Sequence, residues 1–146
     1  MTGWGVAVGI LGVWLLAPSA LVGVETGQAG SGLEATQLKV RLKVEEMVFC
    51  AAVKDRVPVG VADTFPADVY RVFCFTRIVG ASDTASVKHV WYRGDTLVAE
   101  RRLPVRSSHW RTWSAQVMRE QWRGEWRVEV RTAEGALLAS KKLRLE

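Results

Sequence analysis

Apolar and polar residues alternate along much of the chain after residue 37, which is the pattern of half-buried β-strands. Between residues 38 and 44, Leu and Val alternate with Lys and Arg. Side chains on a strand point to opposite faces in turn, so this segment has one apolar face. Over residues 47–53 the apolar side chains take the opposite parity. That switch of face indicates a β-bulge or a break in the strand.

Similar segments predict further strands, separated by turns rich in Gly, Asp and Thr. Residues 54–66 contain two prolines and are predicted to form a loop. Residues 114–121 are the one stretch after residue 38 with a helical pattern, and they are too short to carry the fold. The predicted strands after the first are residues 69–79, 87–92, 97–105, 126–131 and 137–145.

Short strands without helices to cover a parallel sheet predict an all-β fold, an antiparallel β-sandwich of about seven strands. A chain of 146 residues is long enough for one domain with a substantial core. Trp91, Trp126 and Tyr70 are large enough to fill the space between two sheets. We therefore expect these three side chains in the core.

The N-terminal segment differs from the rest, because no charged residue precedes Glu25. Its apolar run over residues 4–17 predicts a hydrophobic helix, which fits a cleaved signal peptide, an uncleaved membrane anchor or a buried core helix. The first two alternatives imply export. We predict a signal peptide or anchor over residues 1–24, a flexible linker over 25–37 and a β-sandwich domain over 38–146.

Cys50 and Cys74 are the two cysteines of the chain, and each lies in a predicted strand. In an exported protein such a pair most simply forms a disulfide, which we predict here. Two buried free thiols are the first alternative. A metal site with His89 and His109 is the second, although no two of these ligands have a short metal-binding spacing.

His89 is in phase with Val87 and Trp91 on its strand, so we predict a hydrogen-bonded structural histidine on a core-facing surface. The serines lack the G-x-S-x-G nucleophile motif. The carboxylates show no catalytic pairing, and no Gly-rich loop matches a phosphate-binding motif. We predict no catalytic activity, no cofactor and no metal.

A stretch that combines tryptophan with arginine begins at His109. Trp110 and Trp113 are three residues apart, so on a continuous strand they face opposite sides. We expect one in the core and the other exposed, with Arg111 on the side of Trp113. The stretch is either a structural Trp–Arg ladder or a binding platform. The candidate residues are Arg106, His109, Trp110, Arg111 and Trp113.

The net charge of +5 and the pI near 9.6 raise the possibility of nucleic-acid binding, which the predicted export disfavours. A basic surface in the cell envelope would instead meet anionic lipids, acidic glycans or an acidic protein. The alternative is a solvated strand face. The arginines concerned are Arg101, Arg102, Arg106, Arg111, Arg119, Arg123, Arg127 and Arg131.

Several separated motifs occur in an order that resembles a bacterial family called domain of unknown function 2914. The resemblance covers about residue 44 to the C-terminus. It implies an exported, immunoglobulin-like β-sandwich, and it implies no reaction and no catalytic residues. The motifs are residues 50–60 (CAAVKDRVPVG), 73–76 (FCFT), 89–92 (HVWY), 110–114 (WRTWS) and 124–128 (GEWRV).

These features predict a non-catalytic binding module of the cell envelope, located in the periplasm or elsewhere in the envelope. Its expected ligand is an envelope glycan, an anionic polymer or another envelope protein, and nucleic acid is not expected. The alternative is a structural accessory subunit that residues 1–24 attach to the membrane. Exposed Trp and Arg favour the binding module, and a retained N-terminal anchor would favour the accessory subunit.

Overall fold

The computed structural model describes residues 42–146. The predicted signal peptide or anchor (1–24), the linker (25–37) and residues 38–41 lie outside the described residues. Within residues 42–146, no helix is long and apolar enough to cross a membrane. The strands are β1 (Lys43–Lys54), β2 (Val57–Val61), β3 (Thr64–Phe65), β4 (Arg71–Val79), β5 (Ala85–Arg93), β6 (Thr96–Val105), β7 (His109–Val117), β8 (Gly124–Thr132) and β9 (Leu137–Leu145).

Two sheets form a β-sandwich, which confirms the prediction of an all-β fold. The four-stranded sheet has the order β2-β1-β4-β7, and the five-stranded sheet has the order β3-β9-β8-β5-β6. All neighbours are antiparallel except the short β3, which runs parallel to β9. Alternating apolar residues on both sheets pack between them, as the period-2 pattern requires.

The predicted strands correspond to observed strands, and two further segments differ from the prediction. β2 and β3 lie within residues 54–66, which were predicted to form a loop. Pro58 is compatible with β2 because β2 is an edge strand of its sheet. β7 continues to Val117, so its last residues are extended and not helical. The only helical element in residues 42–146 is the single 3₁₀ turn Glu120–Trp122.

Trp91 and Trp126 are fully buried between the sheets, as predicted. Trp91 packs against Phe49 of the opposite sheet, with ring centroids 6.3 Å apart. The prediction for Tyr70 was wrong, because its side chain is 69% exposed. Tyr70 precedes β4, where the chain has not yet entered the sheet, so strand alternation does not govern its direction.

The β1–β2 hairpin folds back over the outer face of the four-stranded sheet. β1 pairs with β4 only as far as Cys50, opposite Phe73. Arg56, at the hairpin tip, nevertheless contacts Trp110 and Arg111, which pair with the other end of β4. The inner face is occupied by the second sheet, so the hairpin must cross the outer face. We call residues 51–61 the flap.

A glycine allows the flap to bend. Gly60 has a φ of +71°, in the left-handed region that favours glycine. A Cβ at this position would lie 3.0 Å from the Cβ of Ala51, the residue across the hairpin. The two strands therefore approach closely at Ala51 and Gly60, next to the point where β1 leaves β4.

Candidate functional site

β7 separates two chemically different surfaces, because alternate side chains point to opposite faces of its sheet. Trp110 pairs with the core residue Ile78, so the even-numbered residues of this part of β7 face the second sheet. Arg111 pairs with Arg77, so the odd-numbered residues face outward. The inner face carries a buried hydrogen-bond network and the outer face a basic pocket.

The network joins the two sheets. From the five-stranded sheet, Trp91 and His89 reach across to Ser114 of β7. His89 also contacts Thr76 of β4, which in turn bonds to the carbonyl of Thr112. All five residues are buried. Strand alternation brings them together, because Thr112 and Ser114 share the inner parity of β7.

The donors and acceptors assign each proton in this network. The Thr76 hydroxyl donates its single proton to the Thr112 carbonyl at 3.1 Å, so it accepts from His89 Nε2 at 3.1 Å. Burial keeps the His89 ring neutral, so Nδ1 carries no proton and accepts from the Ser114 hydroxyl at 2.8 Å. The Trp91 indole donates to Ser114 Oγ at 3.0 Å.

Burial lowers the pKa of His89 from 6.5 to about 4. The network acts in the same direction, since Nδ1 must stay unprotonated to accept from Ser114. These contacts confirm the prediction of a hydrogen-bonded structural histidine.

The Ser114–His89 distance is also that of a nucleophile and its base, but both side chains lie between the sheets. A substrate has no access to the hydroxyl there, so the pair stabilises the fold.

At the free edge of its sheet, where β7 is the last strand, the outward-facing Arg111 and the inward-facing Trp110 both line a concavity of about 480 Å³. We call it the Trp110 pocket. It brings together strand residues, the β6–β7 turn and the tip of the flap. Its lining residues are Glu45, Arg56, Arg77, Ser107, His109, Trp110 and Arg111.

Two of the three guanidinium groups in the Trp110 pocket have no carboxylate partner within residues 42–146. Arg77 pairs with Glu46 at 3.1 Å and with Glu45 at 3.9 Å. Arg56 instead lies over the Trp110 ring, 5.0 Å from its centroid, and donates to the Arg111 carbonyl at 3.4 Å. The charges of Arg56 and Arg111 are therefore available to an anion from solution.

Three of the five residues predicted for a ligand face line the pocket: His109, Trp110 and Arg111. Trp113 is on the same face as Arg111, as predicted, and it stacks on Phe75 with centroids 6.3 Å apart. The expected division into core and exposed tryptophan was wrong, because Trp110 and Trp113 are both half-buried. Arg56 of the flap covers part of Trp110, and Phe75 covers part of Trp113.

Arg106 is exposed at the end of β6, next to Ser107 of the pocket, and does not line it. The pocket also contains two arginines that the sequence analysis missed, Arg56 and Arg77. A signal for Arg56 exists in the sequence: Asp55-Arg56 occupies a two-residue turn at which Asp-Gly is usual. Arg77 gives no comparable signal.

The wider arginine set does not form one polyanion-binding face. Arg127 and Arg131 both bind the nearly buried Glu129, at 3.2 Å and 2.7 Å, on the outer face of the five-stranded sheet. Arg123 pairs with Glu120. Arg119 lies 4.9 Å from the ring centroid of Trp122. Several predicted ligand-facing arginines are thus already engaged within the domain.

Cys50 and Cys74 are both buried free thiols, which differs from the predicted disulfide. Cys74 pairs with Phe49 and Cys50 pairs with Phe73, so the two thiols point to opposite faces of the sheet. Burial raises the pKa of each thiol. Cys50 lies at the base of the flap, where the backbone of Val59 and Ala52 hydrogen-bonds to it and opposes part of that rise.

The same geometry separates the residues of the alternative metal site. His89 lies between the sheets, whereas His109 is exposed at the start of β7. No group of three or more His, Cys, Asp or Glu side chains in residues 42–146 is arranged to hold a metal ion.

A sequence-family comparison matches residues 84–144 to the family described as Protein of unknown function (DUF2914). Over these residues the chain matches the model of this family. The predicted resemblance is thereby confirmed. The match runs from just before β5 into β9, so it includes His89, Ser114 and four lining residues of the Trp110 pocket. The motifs at residues 50–60 and 73–76 precede it.

Curated proteins gave no match to the chain. Among solved structures, a GH3 beta-glucosidase from Bifidobacterium adolescentis is 12% identical, with a TM-score of 0.40, and the alignment covers 71% of this chain and 17% of that chain. A beta-glucosidase from Listeria innocua is 10% identical, with a TM-score of 0.40 and coverages of 71% and 15%. One from Kluyveromyces marxianus is 11% identical, with a TM-score of 0.38 and coverages of 73% and 14%.

The chain thus spans less than a fifth of the length of each of these enzymes. Similarity at this level supports no conclusion about the activity of the chain.

Proposed function

We propose that the chain is a non-catalytic binding module of the bacterial cell envelope that binds an anionic glycan in the Trp110 pocket. The proposed scaffold is an immunoglobulin-like sandwich that is exported by its uncharged N-terminal segment, residues 1–24, which acts as a signal peptide or as a membrane anchor. The observation that carries the proposal is the pairing of two uncompensated guanidinium groups, Arg56 and Arg111, beside an indole ring.

Guanidinium groups bind carboxylates and phosphates through paired hydrogen bonds, and they bind them more strongly than they bind neutral groups. Ser107 adds a hydroxyl to the lining, and Trp110 adds an aromatic surface. Acidic sugars present the complementary groups: an oxyanion, hydroxyls and an apolar ring face. His109 and Arg111 are exposed, so the pocket has room for one unit of a longer polymer.

Isothermal titration calorimetry tests the proposal with the full chain and two polymers, polygalacturonate as a carboxylated glycan and poly(glycerol phosphate) as a phosphate polymer. Dextran is the neutral control. We expect binding to one or both anionic polymers and none to dextran. Arg111→Gln should weaken that binding at least about tenfold, because a charge-assisted hydrogen-bonding group is lost from the site.

Arg101→Gln is the matched control. Arg101 is exposed on β6 of the other sheet, where its guanidinium donates to the carbonyl of Glu100 at 3.3 Å. Its loss changes the net charge equally and should leave affinity within about twofold. If Arg111→Gln and Arg101→Gln lost affinity equally, the binding would be non-specific charge attraction. That result would overturn the assigned site. Failure of both polymers to bind would overturn the proposed function.

A further inference from the structure

We propose that the Trp110 pocket is a two-sided anion clamp: the flap supplies Arg56, β7 supplies Arg111, and an oxyanion bound between them holds the flap closed. The clamp rests on the proposed function, and it adds a moving part to that site. The ligand group is a carboxylate or phosphate of the proposed glycan.

The flap is attached to the sheet at one end and latched at the other. At its base, Ala51 and the left-handed Gly60 form the bend. At its tip, Arg56 makes the contacts that reach β7: the cation–π contact with Trp110 and the hydrogen bond to the Arg111 carbonyl. That hydrogen bond is long at 3.4 Å, so the closed flap is held weakly without a ligand.

Arg56 occupies a position at which arginine is conformationally unfavourable. Asp55 and Arg56 have φ values of 50° and 60°, so both central residues of the turn are left-handed. Glycine is the preferred second residue of such a turn, and a long side chain there is strained. In spite of this backbone strain, Arg56 occupies the turn, and its guanidinium group is the part of the flap that lines the pocket.

The flap covers a surface that would otherwise be exposed. Cys50 and Phe75 point to the outer face of the sheet, yet they are 0% and 1% exposed. Trp113, stacked on Phe75, is half-buried on the same face. Opening of the flap would therefore expose the Cys50 thiol, whereas Cys74, on the inner face, would stay in the core.

This difference provides a reporter of the flap. The full chain is treated with iodoacetamide under native conditions, and mass spectrometry of its peptides gives separate alkylation rates for Cys50 and Cys74. Arg56→Gly removes the latch and at the same time provides the residue that the turn prefers. Cys50 should then react about tenfold faster, as expected for the loss of one cation–π contact and one hydrogen bond, with Cys74 unchanged.

Asp55→Gly is the matched control, because it relieves the same kind of backbone conformation and retains the guanidinium. It should leave the Cys50 rate unchanged. If Arg56 served only to form the turn, Arg56→Gly would also leave that rate unchanged or lower it. That result would overturn the latch.

Inorganic phosphate, compared with chloride at equal ionic strength, tests the clamp. Phosphate should slow Cys50 alkylation in the wild-type chain and have no effect in Arg56→Gly. A chain that binds an anionic polymer without any slowing of Cys50 by phosphate would overturn the clamp and leave the proposed function standing. If calorimetry shows that the chain binds neither polymer, the proposed function itself is overturned.

Discussion

The two faces of β7 carry different polar side chains, hydroxyls on the inner face and a guanidinium group on the outer face, and the two kinds serve different purposes. On the inner face, Thr112 and Ser114 take part in a network in which each donor has an acceptor and no water is required. On the outer face, Arg111 and Arg56 leave charge without a carboxylate partner in residues 42–146. The inner face thus contributes to stability, and the outer face has unused capacity for a ligand.

Burial explains why the two faces differ. A polar group between the sheets costs free energy unless it is hydrogen-bonded, so the inner face tolerates no vacant donor or acceptor. At the surface, water satisfies a guanidinium group until a ligand replaces it. Substitutions on the inner face should therefore change the free energy of unfolding, and those on the outer face should mainly change binding.

The largest effect is expected from Ser114→Ala on the inner face. It removes the partner of both the Trp91 indole and His89 Nδ1, so two buried polar groups lose their hydrogen bonds. We expect the free energy of unfolding to fall by about 2 to 5 kcal/mol. Urea denaturation measures the change. Ser107→Ala, at an exposed hydroxyl that bonds only to a backbone carbonyl, should cost less than about 0.5 kcal/mol.

If the two serine variants lost equal stability, the buried hydrogen bonds of Ser114 would not stabilise the fold as described.

The next effect concerns pH. The pKa of His89 is about 4 in the folded chain and 6.5 when it is exposed. Between these values the unfolded chain binds a proton that the folded chain does not, so stability is lost as the pH falls from 6.5 towards 4. The loss attributable to His89 should reach about 2 to 3 kcal/mol near pH 4.5. Denaturation curves at several pH values measure it.

His89→Gln should remove this contribution to the pH dependence, although the variant is less stable at pH 7. His109→Gln, at an exposed histidine, should retain the wild-type pH dependence. A His89→Gln chain with an unaltered pH profile would show that His89 does not titrate as described.

A smaller loss of stability than on the inner face is expected on the outer face, from Trp113→Ala. Trp113 is half-buried and stacks on Phe75, so we expect a loss of about 1 to 2 kcal/mol, which a thermal melt would detect. Polymer affinity should change little, because Trp113 does not line the Trp110 pocket. Arg111→Gln should show the reverse: stability within about 0.5 kcal/mol of the wild type and weaker binding.

Trp113→Ala thereby separates the two interpretations of the Trp–Arg stretch. A structural role predicts loss of melting temperature, and a binding platform centred on Trp113 predicts loss of affinity at constant stability. The second outcome would move the proposed site from the Trp110 pocket to Trp113.

Alternation along the chain was sufficient to predict the all-β sandwich, the burial of Trp91 and Trp126, and the role of His89. These properties depend on which face of a strand a side chain occupies, and a period of two determines that face locally. The opposite directions of Trp110 and Trp113 followed from the same rule.

Contacts between distant segments could not be predicted in this way. The flap brings Arg56 to β7 across more than fifty residues of sequence, through a bend that depends on how closely Gly60 and Ala51 approach. The expected disulfide failed for a related reason: the strands of Cys50 and Cys74 are neighbours, but their register places the thiols on opposite faces. A register is a property of two strands, and neither strand carries it alone.

The sequence by itself therefore determined the class of fold, most of the inward-facing residues and the resemblance to the family, because each of these is encoded in local patterns and ordered motifs. Only the tertiary structure decided which charges are compensated and which are free. Arg131 is bound to Glu129 and Arg111 has no such partner among residues 42–146, although both are arginines at alternating positions of a strand. Whether the charge of an arginine is compensated depends on the carboxylates that folding brings next to it. Those neighbours distinguish a structural arginine from a candidate for binding.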